Sequence, residues 1–348
     1  MMRRERFYIL ACVLSGLFIV GFCLSILMAE KKPKYIWKFG TLGQDTIKMV
    51  SILTVDLTGD ILKVTNSELK CVWYMGGVMG DEEDYIAKMR INQLQGALIT
   101  GTANAMACPG ISVMELPFLF NNWDEVDYVR NRLRPKLSKI AEKNGFKLLF
   151  DAGVDFEHFY STKLPMKTPE DFKKSKMLSW HGPLEVEVLK TLGASPIPVN
   201  VPEIVPSMRA GVVDSCISPS FWWLAAQLYT ITKYINPLPI RYDPGVFIVS
   251  MSAWNEIPLE YRKRIMKLMP PLNKKINQEL RKVCKDSYKA MITYGCKEVK
   301  MIPEEIEVFR KRTRPVWNKM IGKSYSKEML DDVLLLLKKY RTKKKVSM

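Results

Sequence analysis

Three short strand-like runs alternate with two helical ones near the start of the chain, and that order leaves few folds open. Tyr35-Ile-Trp-Lys-Phe-Gly-Thr alternates apolar and polar residues and reads as a strand. From Thr46 to about Val64, Ile47, Val50, Ile52, Leu53, Val55 and Leu57 recur at helical spacing, with Gly59-Asp60 expected to interrupt them. Leu69-Lys-Cys-Val-Trp-Tyr is a second strand, followed by Gly76-Gly77 and the acidic run Asp81-Glu-Glu-Asp. Carboxylates suit the positive end of a helix dipole, so this run predicts a helix start that continues through Tyr85, Ile86, Met89 and Ile91. Gly96-Ala-Leu-Ile-Thr-Gly-Thr is a third, buried strand. A βαβαβ beginning of this spacing implies a doubly wound α/β sheet.

Further along, Asn121-Asn-Trp-Asp opens a helix, and Phe146–Asp151 and Val154–Thr162 read as two strands. Thr168-Pro-Glu-Asp combines a capping Thr, Pro at the first helical position and acids in the first turn. Met177-Leu-Ser-Trp180 is a strand that runs straight into the turn His181-Gly182-Pro183 before another helix. Ligands of α/β proteins gather at strand ends of this kind. Phe247–Met251 is a strand, and a long helical region follows through Tyr294, with a break expected at Pro270-Pro271.

The formal charge of +17 is uneven. From Leu259 onward there are 25 Lys and Arg against 10 Asp and Glu, a surplus of 15. These bases alternate with Leu, Met, Ile and Val at helical spacing and carry no zinc-finger or RNP-type signature. They read as solvated helix faces, and no nucleic-acid partner is expected. The seven cysteines include no CxxC, and Cys284 with Cys296 is an open pairing. His158 and His181 are the only histidines, and both read as hydrogen-bonding or packed residues, so no metal ligand is assigned. Phe7–Ala29 is an uncharged run of 23 residues behind Arg3, Arg4 and Arg6, which reads as a signal peptide or an inner-membrane anchor. No G-x-S-x-G elbow, P-loop or dinucleotide fingerprint is present, so neither catalysis nor a cofactor is expected.

The order of several phrases resembles the solute-binding proteins of TRAP transporters, first known for four-carbon dicarboxylates. They are Gly76-Gly77 before an acidic helix, Leu116-Pro-Phe-Leu-Phe, Phe159-Tyr-Ser before Pro165-Met-Lys-Thr-Pro-Glu-Asp-Phe-Lys, Leu192-Gly-Ala-Ser-Pro, Glu203 and Ala210-Gly-Val-Val-Asp214. The resemblance covers about residues 35–300 and implies a two-lobe periplasmic-binding-protein fold, type II-like, with hinge strands and long C-terminal helices. It implies as partners a small organic ligand and the small and large TRAP membrane subunits. The corresponding division is residues 1–29 as signal or anchor, 35–153 with about 242–270 as lobe I, and 154–241 as lobe II. Helices in 271–340 would pack across both lobes, and 341–348 would form a basic tail.

The departures bear on the ligand. The family's strand usually presents an Arg that clamps a carboxylate in a bidentate pair, and its place here falls on Leu178. A second Arg place falls on Glu157 or His158, and the family's Glu and Asn fall on Ile217 and Ser218. Trp180, His181 and Trp222 lie close by, while at least one of Trp222 and Trp223 is expected in the core. The ligand-binding set is therefore Leu178, Trp180, His181, Glu157, His158, Ile217, Ser218 and Trp222. It predicts a neutral, apolar or aromatic ligand rather than a simple dicarboxylate, with a cation caged by Glu157 and the tryptophans as another option. The expected function is periplasmic capture of such a ligand by cleft closure. A membrane-tethered sensor or accessory protein that kept the fold is the alternative.

Overall fold

The structure, a computed structural model, describes residues 32–346. Strands β1 (Tyr35–Gly40), β2 (Leu69–Tyr74), β3 (Gly96–Ile99), β4 (Phe146–Ser161), β7 (Ser215–Ser218), β8 (Tyr234–Ser250) and β9 (Lys297–Glu298) form one sheet. A second, two-stranded sheet pairs β5 (Leu178–Ser179) with β6 (Ile197–Pro198). The large sheet runs in the order β2-β1-β3-β8-β4-β7, with β9 beside β8. Strands β1, β2 and β3 are parallel, as the alternation with helices requires, and β8 then joins β3 antiparallel.

β4 and β8 hold the two lobes together. Phe146 to Phe156 pairs with the second half of β8 and joins the lobe built on β1–β3, whereas Phe159 to Ser161 pairs with Tyr234–Asn236 and with β7. The two strands expected at Phe146–Asp151 and Val154–Thr162 are thus one strand of 16 residues. Along it the pairing shifts register at three places. Such irregularities bend a long antiparallel pair and admit residues that a regular ladder rejects. Pro244 faces Gly153 beside one shift, and Pro237 and Pro239 lie inside another.

A helix spanning Leu259–Tyr294 packs along β4 and against Ser220–Ala225. Its Ile265, Met269, Ile276 and Leu280 enter the core beneath the first lobe, and its Met291 enters the core of the second. The break expected at Pro270-Pro271 does not occur. Both prolines are exposed, on the side of the helix away from the core. The apolar stripe on either side remains anchored in the core. Likewise Gly59 does not interrupt the first helical run, which continues from Lys48–Ser51 through a π-helical segment, Ile52–Leu57, to Thr58–Val64.

Asp81 caps the helix Glu82–Arg90 in a capping box with Asp84, and Thr168 caps Pro169–Lys174 in one with Asp171. Cys71, Cys108, Cys216, Cys284 and Cys296 are all buried free thiols, so Cys284 and Cys296 do not pair. Among the described residues no helix is long and apolar enough to cross a membrane, and the run Phe7–Ala29 lies outside them.

Candidate ligand-binding cleft

The ends of β1, β3, β5, β6 and β7 converge on one cleft, floored by β4 and β8. Two adjoining cavities occupy it, of about 260 Å³ and about 70 Å³, sharing Glu82, Thr100, Trp180 and Val201 in their walls. The larger is walled by Asp81, Glu82, Glu83 and Asp84 on one side and by Trp180 and Pro198–Val201 on the other. The smaller is mostly apolar, with Phe150, Val154, Phe221 and Trp222 around the carboxylates of Glu82 and Asp243. No Lys, Arg or His lines either cavity.

The walls touch. Val201 N–H donates to Asp81 Oδ2 at 2.8 Å across the cleft. Gly182 stands so close to Thr102 that a Cβ on it would lie 2.6 Å from the Thr102 hydroxyl, and a Cβ on Gly101 would meet the His181 ring at 3.0 Å. These contacts join the lobe carrying β3 to the turn after β5, so the cleft is in a closed arrangement.

The turn Trp180-His181 is held from below by one carboxylate. Glu185, in the first turn of the helix Pro183–Leu192, accepts at Oε2 from Ser179 Oγ, Trp180 N–H and His181 N–H at 2.8–3.1 Å. Trp180 donates its Nε1–H to the Ile217 carbonyl at 2.9 Å, which fixes the indole plane. Trp222 stacks on it with centroids 6.4 Å apart and planes 17° from parallel. Trp223, its neighbour, instead stacks on Tyr160 in the core and donates to Thr232 Oγ1.

Beneath the smaller cavity lies a buried charged cluster. Arg241 donates through Nε to Glu157 and through Nη2 to Glu185, 3.2 Å away, and Glu115 Oε2 is 3.9 Å from Nη1. His181 Nε2 stands 3.0 Å from Asp243 Oδ1 and 3.8 Å from Glu115 Oε2. Burial pushes Glu115 up to about 8, Glu157 up to about 7, and Asp243 well above the usual carboxylate range. Burial, with help from Arg241, holds His181 well below the usual histidine range, so its ring is neutral. Glu82 accepts from Thr100 N–H at 2.8 Å, and its own burial lifts it to about 8.

Trp180 and Trp222 are thus the two members of the expected set that line the cavities. Glu157 does not join them in a cage, because it is fully buried and bonded to Arg241. Leu178 packs behind the cleft with Val201, Ile204 and Met208, its backbone paired to β6. His158 turns away from the cleft, its ring 5.2 Å from that of Tyr288, and burial lowers it to about 4. Ile217 and Ser218 are buried in β7 opposite Phe159 and His158, with the Ile217 carbonyl reaching the site through Trp180. His181 lies one layer below the cavity wall beside Asp243.

Sequence reasoning missed Arg241, Asp243, Glu115 and Glu185, and saw in Glu82 only a helix start. Arg241 and Asp243 sit among Pro237, Pro239 and Pro244, which read as turns rather than as the middle of a strand. Glu185, two residues beyond Pro183, had the signal of a first-turn acid.

The profile of the family described as "Bacterial extracellular solute-binding protein, family 7" matches residues 50–324. The 2,3-diketo-L-gulonate-binding periplasmic protein of Escherichia coli K12 is 20% identical over 203 residues, 58% of this chain and 62% of that protein. The ectoine-binding periplasmic protein of Halomonas elongata is 24% identical over 179 residues, 49% of this chain and 51% of its own. The matches therefore span between half and two thirds of the length of these curated relatives. The sugar acid binding protein of Advenella mimigardefordensis, solved in complex with galactonate, superposes with a TM-score of 0.82 at 21% identity, covering 88% of this chain and 99% of that one. With two α/β lobes closed on an internal cleft and a family match over most of its length, the chain belongs to the bacterial extracellular solute-binding proteins of family 7.

Proposed function

We propose that this receptor captures a small organic solute without net negative charge and closes its two lobes around it. The observation that carries this reading is the lining of the cleft, where Asp81, Glu82, Glu83, Asp84 and Asp243 meet two stacked tryptophans and no basic side chain. A carboxylate solute would lie beside Asp81, Glu83 and Asp84 with no guanidinium to pair it, a costly arrangement in a buried site. The nearby guanidinium of Arg241 is 2% exposed and already engaged by Glu157 and Glu185. An aromatic or apolar body packs against Trp180, Trp222 and Phe221, and a hydrogen-bonding group meets the Glu82 carboxyl.

In this reading Leu178 and Ile217 set the apolar character of the site from behind, and Trp180 and Trp222 touch the solute. The small and large TRAP membrane subunits receive it, and the run Phe7–Ala29 exports the chain or tethers it to the inner membrane. A thermal-shift panel tests the reading: galactonate, D-glucuronate and succinate against ectoine and a set of uncharged and cationic aromatic solutes. A rise in Tm confined to the second group is expected. A clear rise with any of the three acids overturns the charge argument.

A further inference from the structure

The cluster beneath the cavity holds more acceptors than its donors can satisfy. Glu115, Glu157, Glu185 and Asp243 surround one guanidinium and one imidazole, all at most 2% exposed. Glu157 Oε1, both ring nitrogens of His181 and both carboxylate oxygens of Asp243 have no hydrogen-bond partner. Buried polar atoms are rarely left so, because an unpaired one has lost its hydration with nothing in exchange. His181 Nε2 and Asp243 Oδ1 are only 3.0 Å apart, yet their approach lacks the alignment of a hydrogen bond.

We infer that Glu157, His181 and Asp243 form a binding site for one divalent metal ion of the zinc or manganese type. One ligand atom from each residue lies within 4.8 Å of the others. Atoms bound to a common ion at about 2.0–2.2 Å stand roughly 3–4 Å from one another, so small rotations of the side chains close the set. One imidazole with two carboxylates is a donor set for a borderline transition ion and not for an alkali cation. Glu157 keeps Oε2 on Arg241 and has Oε1 free for the ion. Glu115 Oε2, 3.8 Å from His181 Nε2, stands next in reach.

The three ligands come from different parts of the fold. Glu157 is on β4, Asp243 is on β8, and His181 is in the turn after β5 that carries the Trp180 wall. An ion here ties both hinge strands to the solute-binding turn, directly below a cavity that Asp243 itself lines.

The test uses the full chain, untagged and purified without chelator, with metal content read by inductively coupled plasma mass spectrometry. About one zinc or manganese ion per chain is expected. After EDTA treatment, adding Zn2+ or Mn2+ should raise Tm by several degrees. Asp243→Asn keeps the side-chain shape and should cut metal affinity at least about tenfold. Glu328→Gln, at an exposed position outside the set, should retain it. Buried ligands can be needed for folding, so the EDTA and add-back arm on the unaltered chain stands by itself. The inference is overturned by a chain without stoichiometric metal that shows no Tm shift at millimolar Zn2+ or Mn2+. An Asp243→Asn protein that binds as tightly as the unaltered chain overturns it equally.

Discussion

Asp81 Oδ2 accepts the backbone N–H of Val201 at 2.8 Å, and the two residues stand on opposite walls of the cleft. Asp81 also caps the helix Glu82–Arg90, so the group that starts that helix latches the second lobe onto it. Closure also depends on Gly182, which has φ of +98° and lies against Thr102. A side chain there is strained by the backbone and collides with the opposite wall. Gly182→Ala is expected to lower solute affinity by roughly tenfold, about 1.4 kcal/mol, and to abolish the compaction that solute is expected to cause, as measured by small-angle scattering. Unchanged compaction would mean that the walls do not close here.

The adjacent tryptophans should behave differently. Trp180 and Trp222 face the cavity, so replacing either with Ala should weaken solute binding by roughly 10–100-fold while leaving the fold intact. Trp223 is fully buried between Tyr160 and Thr232. Trp223→Ala should cost about 3–5 kcal/mol of stability. Calorimetric titration and urea denaturation of the three variants separate the two roles.

Arg241 is the sole guanidinium in a cluster of acids on the cleft floor. Removing it leaves Glu157 and Glu185 buried without their partner, which should cost about 3–5 kcal/mol. Arg241→Met should therefore unfold at much lower urea concentration, and adding Glu157→Gln should recover part of the loss. A double variant no more stable than the single one would show that this pair is not coupled.

Glu82 gives the protein a stability that depends on pH. Its carboxyl titrates near 4.5 when free and is pushed up to about 8 by burial, with Asp81 adding to the effect. Between those values the folded chain keeps a proton that the unfolded chain has released, so stability falls as pH rises. His158, lowered to about 4 from 6.5, and His181, also lowered, act in the opposite sense as pH falls through about 6.5. Comparing Glu82→Gln with the unaltered chain between pH 6.5 and 8 cancels their contribution. Glu82→Gln should make the slope shallower, by at most about 1.4 kcal/mol per pH unit, with Glu115 and Glu157 keeping a remainder. Identical slopes would mean that Glu82 is ionised in the folded chain.

The fold was legible where local signals agree with tertiary packing. The alternation around β1, β2 and β3, the caps at Asp81 and Thr168, and the strand Met177–Trp180 are all set by nearby residues. Trp180 followed from its place at that strand's end. The long hinge strand β8 was not legible ahead of Phe247, because Pro237, Pro239 and Pro244 normally end strands and are accommodated here by register shifts against β4. Arg241 and Asp243 were lost with it. Pro270-Pro271 misled for a related reason, since packing on both sides of the pair overrides its local preference. The partner of Glu157 is 84 residues away, and the buried pair leaves no periodicity to follow.

The central claim is that the closed cleft takes a solute without net negative charge. Native mass spectrometry of the receptor purified from periplasm, followed by denaturing release and identification of the bound molecule, measures this most directly. The geometry predicts one neutral or cationic molecule, with an aromatic or apolar body, per chain. Release of a sugar acid or dicarboxylate would contradict it.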